Sequence, residues 1–377
     1  MKGVAILLML YWHLFCIEGN VELCSTYLAM GDVPLVHWLA RATNPVAFFL
    51  ILSGYGLFAS QRSLKGSNCS KGLKGDMELI SHSSNFSNSL NFSNFCKDLK
   101  RILRLYIHYW ITLLIFVPLG AYVVGTQRYP GSWESVIANV TAWHTTWNGE
   151  IWFLFPYVLL ALSARGIFWL MERVNKWVFL GGTLLLSVGA QYLTSRYGGS
   201  YLYSHQLPYM PVLYFNLLGA FVMGAYMARY NVVERCKTLN ISILNRGGQR
   251  VADSGTPGPK DLRNEGYKEL GRWNWILLML LIAFRCCFTT GAFHGFYAVA
   301  FIVLFVNAPR PEWLDRFLTE MGKRSTSMWF VHTYFCYYLF HDWIYGFRYP
   351  ELIFGVLLIC SYATATGIDW IKNKVTI

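Results

Sequence analysis

Long apolar segments alternate with short polar segments along almost the whole chain. Ten apolar runs are long enough, or nearly so, to cross the ~30 Å hydrocarbon core of a bilayer as α-helices. The pattern therefore predicts an all-α fold, a polytopic membrane bundle of about ten transmembrane helices. The predicted helices lie at about residues 3–18, 44–60, 105–125, 150–170, 177–194, 208–228, 273–290, 291–308, 326–345 and 350–370.

Two longer polar segments, residues 61–104 and 229–272, interrupt this pattern. The first contains the low-complexity stretch Ser81–Phe95, which is too polar to bury a core. The second carries mixed charge and Gly/Pro punctuation at Ser254–Pro259, which is typical of a solvated linker. Neither segment has the pattern of a folded domain. We therefore predict one transmembrane domain over residues 1–377, with two loops.

The composition agrees with a membrane protein and excludes several other classes. Hydrophobic residues make up 55% of the chain and charged residues 14%, whereas soluble domains carry about 25% charged residues. The net charge is +12, but no compact basic domain carries it, so we expect a lipid bilayer and no nucleic acid as partner. The nine cysteines show no CxxC pair and no zinc spacing. We interpret them as structural and expect no metal site.

The distribution of Lys and Arg predicts the orientation, because short cytoplasmic loops are enriched in these residues. With the N-terminus inside, 27 of the Lys and Arg residues fall in inside segments and five in outside segments. We therefore expect both termini and both long loops in the cytoplasm. The first run has no basic segment followed by a cleavage site, so we interpret it as a retained helix. The predicted location is the plasma membrane, crossed many times.

Ionisable residues within the apolar runs are the main candidates for function, because each is costly in hydrocarbon and usually faces the bundle interior. In the first run, Lys2 precedes His13 by eleven residues. In an α-helix this places the two side chains roughly 20° apart in azimuth and about 16 Å apart along the axis. One helix face thus carries a cation at the cytoplasmic mouth and an imidazole deeper in the membrane. The alternative is a lone histidine bonded to a neighbouring helix, beside an ordinary topological lysine.

The third run begins with a second basic group. Arg101, Arg104 and His108 are spaced by three and four residues, so they share a helix face. Two guanidinium groups at a membrane mouth can bind a polyphosphate. The alternative is contact with anionic lipid or a role in anchoring the topology.

Three further polar residues lie at or within later runs. Glu150 stands where the fourth helix leaves the outer surface, and either orients an incoming hydroxyl or stabilises the helix from its first turn. His332 lies inside the ninth run. His294 lies between the seventh and eighth runs, and we expect it to face the outer surface.

Five segments, in order along the chain, resemble the acyltransferase-3 family of membrane acyltransferases. The resemblance runs from residue 2 to about residue 370 and includes the count of ten helices. Each segment alone is a weak signal, whereas five in the right order are specific. They are Lys2 followed by His13, the FFLILSGY element of residues 48–55, Arg101-Ile-Leu-Arg104, Trp152-Phe-Leu, and Met328-Trp-Phe-Val-His332-Thr.

The resemblance implies an enzyme that moves an acyl group, usually acetyl, from cytoplasmic acyl-coenzyme A to a sugar hydroxyl of a surface or exported polysaccharide. Its partners would be acyl-CoA as co-substrate, a carbohydrate acceptor and the bilayer, in a bacterial inner membrane, with no permanently bound cofactor. Carried over by position, His13 is the expected catalytic histidine, and Lys2, Arg101 and Arg104 are expected to hold the coenzyme phosphates. Glu150 matches a family acid only loosely and is the second expected catalytic residue.

Two residues of the resembling segments are expected to contact substrate, namely Ser53 and His332. A function of another class stays open at this stage, a membrane transporter or flippase of a glycan or lipid-linked intermediate. Such a carrier shares the helix count and the buried cations. It would more often show internal repeats or matching broken helices, and we find no such pairing.

Overall fold

The structure is a computed structural model that describes residues 1–72, 92–236, 259–288 and 290–375. Its described residues form fourteen α-helices and one two-stranded antiparallel ribbon, β1 (Ala29–Met30) with β2 (Val33–Pro34). The helices are α1 Lys2–Phe15, α2 Glu18–Glu22, α3 Leu35–Thr43, α4 Pro45–Gly72, α5 Phe92–Val123, α6 Trp133–Val140, α7 Leu154–Arg173, α8 Lys176–Tyr197, α9 Gln206–Arg229, α10 Pro259–Cys287, α11 His294–Asn307, α12 Glu312–Thr333, α13 His341–Tyr345 and α14 Pro350–Val375.

The all-α bundle predicted from the sequence is confirmed, and each of the ten apolar runs coincides with a helix. Within the described residues, six helical segments are long and apolar enough to cross a membrane. Two apolar helices, α1 and α11, are shorter. The remaining two, α10 and α12, are long, but charged residues occupy their first halves.

The helices extend further into the two polar segments than the hydropathy predicted. Helix α4 continues to Gly72 and α5 begins at Phe92, inside the predicted loop 61–104. Helix α10 begins at Pro259, inside the predicted loop 229–272. A hydropathy pattern marks where a helix leaves hydrocarbon, not where its backbone hydrogen bonding ends. Most of the low-complexity stretch 81–95 and the centre of the second loop lie outside the described residues.

Helix α9 is the centre of one half of the bundle, packed between α4 and α8. A glycine on each partner allows α4 and α9 to approach at backbone distance. A Cβ added to Gly54 would lie 1.9 Å from the carbonyl oxygen of Phe221, and one added to Gly224 would lie 2.0 Å from that of Ile51. Small residues at such crossings are the usual means of close packing between membrane helices. Gly54 of the FFLILSGY element is therefore a packing residue.

Helix α1 is the centre of the other half, surrounded by α3, α4, α12 and α14. Its contact with α12 is equally close, because a Cβ added to Gly3 would lie 1.9 Å from the carbonyl oxygen of Leu318. The helix is buried on most sides, including Ile6, Leu10 and Leu14, each 0% exposed. This packing fixes the position of whatever side chains α1 presents at its end.

Candidate active site

His13 lies in the last turn of α1 and is 5% exposed. The close packing of α1 on α12 brings it against His332, which lies in the last turn of α12 and is fully buried. Nδ1 of His13 lies 2.8 Å from Nε2 of His332, and the ring centroids are 4.8 Å apart. Two imidazoles separated by 319 positions in sequence are thus directly hydrogen-bonded.

The partners of His332 determine which nitrogen of each ring carries a proton. Nδ1 of His332 lies 3.1 Å and 2.9 Å from the carbonyl oxygens of Met328 and Trp329. Carbonyl oxygens only accept, so Nδ1 of His332 carries the proton and Nε2 accepts from Nδ1 of His13. In its neutral form, His13 therefore has its lone pair on Nε2.

Glu150 lies next to that lone pair. Its Oε2 is 3.3 Å from Nε2 of His13, and its side chain is 32% exposed, against 7% for His13. The residue belongs to a 3₁₀ turn, Gly149–Ile151, just before α7, whose N-cap is Phe153. The structure shows direct contact between Glu150 and the histidine, which neither interpretation from the sequence had named. A carboxylate at this distance stabilises the imidazolium that forms when Nε2 takes a proton.

The turn that carries Glu150 is fixed by hydrogen bonds to the end of α12 and to the residues after it. The side-chain amide of Asn148 donates to the carbonyl of Phe330 at 3.2 Å and accepts from Thr333 at 2.9 Å. The backbone amide of Gly149 donates to the hydroxyl of Tyr338 at 2.9 Å. The carboxylate is therefore held by the same helix that holds His332.

A π-helical segment, Tyr334–Tyr338, follows α12 and completes this side of the site. Such segments are rare and often occur at functional sites, because they change the direction of side chains within a helix. The hydroxyl of Tyr337 donates to the carbonyl oxygen of His13, and its ring meets the imidazole edge to face at 5.7 Å. Sequence reasoning missed Asn148, Tyr337 and Tyr338, and the aromatic run YFCYY gave no spacing that pointed to the histidine.

His13 and Glu150 both line a cavity of about 360 Å³. Its walls come from α1, α4, α8, α9, the turn before α7, the end of α10 and the start of α11. The wall around the histidine is largely aromatic and apolar. The polar side chains that line the cavity besides His13 and Glu150 are Asn44, Ser187, Gln191, Asn216, Arg285 and His294.

Lys2 lies at the other end of α1, as the eleven-residue spacing predicted, and its side chain is exposed. It lines a second cavity, of about 380 Å³, between the starts of α1 and α12 and the end of α11. Two further cations, Arg310 and Lys323, and one acid, Asp315, line the same cavity. This end of the bundle therefore presents a mainly basic recess below the histidine.

Arg101 and Arg104 are exposed near the start of α5, on the turn before His108. Neither lines either of the two cavities described above. His108 of α5 lies beside Ser327 of α12, and Phe116, two turns later, stacks on Tyr334 just after α12. The two helices therefore run in the same direction, and since Lys2 lies near Gly322 of α12, the arginine pair is at the same end of the bundle as Lys2. Neither of these two cavities of the described residues brings the three predicted phosphate ligands together.

His108 is part of a network that connects three helices. Its Nδ1 donates to the hydroxyl of Ser327 on α12 at 2.9 Å, and this hydroxyl donates to Asp369 on α14 at 2.8 Å. Nδ1 of His108 and Oδ1 of Asp369 are 3.6 Å apart. The network fixes α5, and hence the direction of the arginine pair, against α12 and α14.

Ser53 and His332, the two residues expected to contact substrate, do not line the cavity that contains His13. The hydroxyl of Ser53 donates to that of Tyr157 at 3.3 Å, which connects α4 to α7. His332 lies behind His13, away from the cavity. His294, expected at the outer surface, instead lines the cavity beside Arg285.

The arrangement around His13 is suited to proton transfer. One imidazole nitrogen is fixed as a donor by His332, and the other faces a carboxylate and a cavity. A base so oriented can take a proton from a hydroxyl that enters the cavity. Among the described residues, no group of three or more His, Cys, Asp or Glu side chains is placed to hold a metal ion.

The chain matches the profile of a known protein family. The profile of the acyltransferase-3 family, described as an acyltransferase domain, matches residues 1–368. No curated protein and no solved structure matches the chain. The match covers both halves of the bundle, including α1 with His13 and α12 with His332.

Proposed function

The chain belongs to the acyltransferase-3 family and is a membrane acyltransferase, and from this premise we propose that it moves an acyl group from acyl-coenzyme A to a sugar hydroxyl. The acyl group proposed is acetyl, and the acceptor a surface or exported polysaccharide. The observation that carries the proposal is the position of Nε2 of His13, beside Glu150 and facing a cavity lined by three side-chain amides and one hydroxyl. Family membership favours this function over transport of a glycan.

In the proposed reaction, Nε2 of His13 takes the proton of the sugar hydroxyl as the oxygen attacks the thioester carbonyl carbon. The new O–C bond forms, the C–S bond breaks, and the coenzyme thiolate takes the proton from the imidazolium. Coenzyme A and the acylated sugar are the products. Glu150, 3.3 Å from Nε2, stabilises the charged ring between the two proton transfers.

His332 acts in this proposal as a positioning residue and does not contact substrate. Its Nε2 accepts from Nδ1 of His13 and so keeps the lone pair of His13 on the cavity side. Its own tautomer is fixed by the carbonyls of Met328 and Trp329. Tyr337 holds the backbone of His13 in place.

The coenzyme is proposed to bind at the end of the bundle where α1 begins. Lys2, Arg310 and Lys323 surround one recess there, and Arg101 and Arg104 are exposed nearby on α5. Guanidinium and ammonium groups are suited to phosphate oxygens. Since the sequence segments predicted on this side contain most of the Lys and Arg residues, we propose that it faces the cytoplasm, with both termini inside, in the inner membrane.

The test is transfer of labelled acetyl from acetyl-coenzyme A by membranes that contain the parent protein or His13→Ala. Label should move to a glycan with the parent and not with the variant, while both proteins are inserted in equal amount. His341→Ala is the matched control, because His341 is a partly exposed imidazole outside the cavity. Full transfer by His13→Ala would overturn the proposed role of His13. No transfer by the parent to a wide set of glycans would overturn the proposed donor or acceptor.

A further inference from the structure

The cavity that contains His13 has one acidic residue and one arginine on its wall. One is Glu150, beside the histidine, and the other is Arg285, at the end of α10. They belong to different elements, and Arg285 has no place in the proposed proton transfer. A charged side chain within a membrane bundle is costly and usually has a function.

Arg285 is deeply buried, with 3% of its surface exposed. One terminal nitrogen donates to the carbonyl oxygen of Phe288, and the other lies 2.6 Å from Nε2 of His294. A guanidinium only donates, so Nε2 of His294 accepts and its Nδ1 carries the proton. Arg285 and His294 therefore form a hydrogen-bonded corner of the cavity with a net positive charge.

Gln191 of α8 packs closely against the segment between Arg285 and His294. Gly291 lies between the two residues in sequence, and a Cβ there would lie 2.6 Å from Oε1 of Gln191. The absence of a side chain at this position allows Gln191 of α8 to approach the corner. Gln191 and Asn44 line the same cavity and are neutral amides that can bond sugar hydroxyls.

We propose that Arg285 and His294 bind the carboxylate or phosphate of an anionic acceptor sugar, whose hydroxyl is presented to His13. This inference rests on the proposed function and names the class of acceptor, an acidic glycan. Glu150 and Arg285 place one acidic and one basic group in the lining of the same cavity, so an acceptor with a single anionic group can enter in one favoured orientation. The planar guanidinium bonds two oxygens of a carboxylate at once, and burial strengthens the pairing.

The first experiment measures binding by purified full-length protein in lipid nanodiscs, without any acyl donor. The probes are methyl β-glucuronide, glucose 6-phosphate and methyl β-glucoside. We expect at least one of the two anionic probes to bind about tenfold or more tightly than the neutral glucoside, with a preference that falls as salt is raised. Equal binding of all three, or no binding of either anionic probe, overturns the proposal.

Variants then test whether this corner carries the preference. Arg285→Gln should bind the anionic and neutral probes equally, and Arg285→Lys should retain part of the preference, because it keeps the charge but not the planar fork. Arg196→Gln, an exposed arginine near the end of α8, is the control and should behave as the parent. Persistence of the full preference in Arg285→Gln overturns the proposal. Should Arg285→Gln not fold, an undiminished preference in Arg285→Lys has the same meaning.

A third variant separates this proposal from the proposed function. His13→Ala should lose acetyl transfer but keep the preference for anionic sugars, since binding does not need the base. The parent protein could show no acetyl transfer to any sugar, while Arg285→Gln loses the preference for anionic probes. This result would retain the acidic subsite and reject the proposed reaction. Transfer to neutral sugars at the same rate as to acidic ones would retain the proposed reaction and reject the acidic subsite.

Discussion

Nδ1 of His13 donates to Nε2 of His332 across 2.8 Å, and the two residues are 319 positions apart. The backbone carbonyls around His332 leave only one pattern of protons in this pair. The consequence is a His13 whose basic nitrogen faces Glu150 and the cavity. The position of α12 therefore determines the chemistry of a residue in α1.

Replacement of His332 tests this coupling. His332→Leu removes the acceptor for Nδ1 of His13, and we expect kcat to fall by about tenfold or more, since the base is no longer held in one tautomer. His332→Gln can still offer an oxygen near the position of Nε2 and should recover part of the loss. The measurement is kcat and KM for the acyl donor across pH.

A positioning role predicts a change in kcat and in the pH profile, with the KM values of both substrates nearly constant. A rise in the KM of the acceptor alone would instead support the direct substrate contact expected from the sequence. An equal loss of kcat in His332→Gln and His332→Leu would contradict a role for a hydrogen-bond acceptor at position 332.

Glu150→Gln keeps the shape of the side chain and removes its charge. The imidazolium of His13 would lose a charge-assisted hydrogen bond, worth about 1.5–3 kcal/mol, so we expect kcat to fall roughly 10- to 100-fold. The kcat of Glu150→Asp should lie between that of the parent and that of Glu150→Gln. Glu134→Gln, which changes an exposed acid of α6, is the control. Unchanged turnover in Glu150→Gln would exclude the carboxylate from the proton transfer.

Arg101→Gln and Arg104→Gln should each raise the KM for acetyl-coenzyme A by about tenfold, because an arginine–phosphate contact is a charge-assisted bond. The KM for the acceptor should not change. Arg316→Gln, an exposed arginine paired with Glu312, is the control for loss of surface charge at this end of the bundle.

A donor that lacks the ribose phosphate, acetyl-dephospho-coenzyme A, adds a second comparison. An arginine that contacts this phosphate should cause a smaller increase in KM with the shortened donor. An equal effect of both arginines on donor and acceptor would indicate a structural role through α5.

Gly54→Ala tests the packing of α4 on α9. The added methyl group would lie 1.9 Å from the carbonyl oxygen of Phe221, so the two helices must separate. We expect a loss of at least about 1–3 kcal/mol in folding stability, as for other overpacked interiors, and a lower Tm in detergent. Gly56→Ala, on the same helix with nothing within 4 Å of its Cβ, should leave Tm unchanged or raise it slightly. Equal Tm values for the two variants would contradict the close crossing.

The sequence was a good guide to the helices and to single residues on them. Its ten apolar runs predicted ten of the fourteen helices of the described residues, because hydrocarbon-spanning segments must satisfy their backbone hydrogen bonds locally. The eleven-residue spacing correctly placed Lys2 and His13 at the two ends of α1. Its boundaries were poorer at the polar segments, where α4, α5 and α10 extend as helices beyond the apolar residues.

The relations between distant segments were not available from the sequence. Arg101 and Arg104 share a helix face with His108, as spacing predicted, but only the packing of α5 shows that neither lines the cavity of Lys2. Arg285 was itself a signal, since it is an ionisable residue within the apolar run 273–290, but the run alone does not show what the side chain faces. Its place on the cavity wall depends on how α10 meets α8 and α11.

The sequence by itself determined the membrane class, the helices and the presence of a histidine on the same face as a lysine, because hydropathy and the 3.6-residue period act over neighbouring residues. The tertiary structure alone decided that this histidine bonds to His332 and faces Glu150. Those contacts join His13 to residues that are 137 and 319 positions away from it in the sequence. They depend on close helix crossings such as that at Gly3, and no periodicity along one segment encodes which other segment will pack against it.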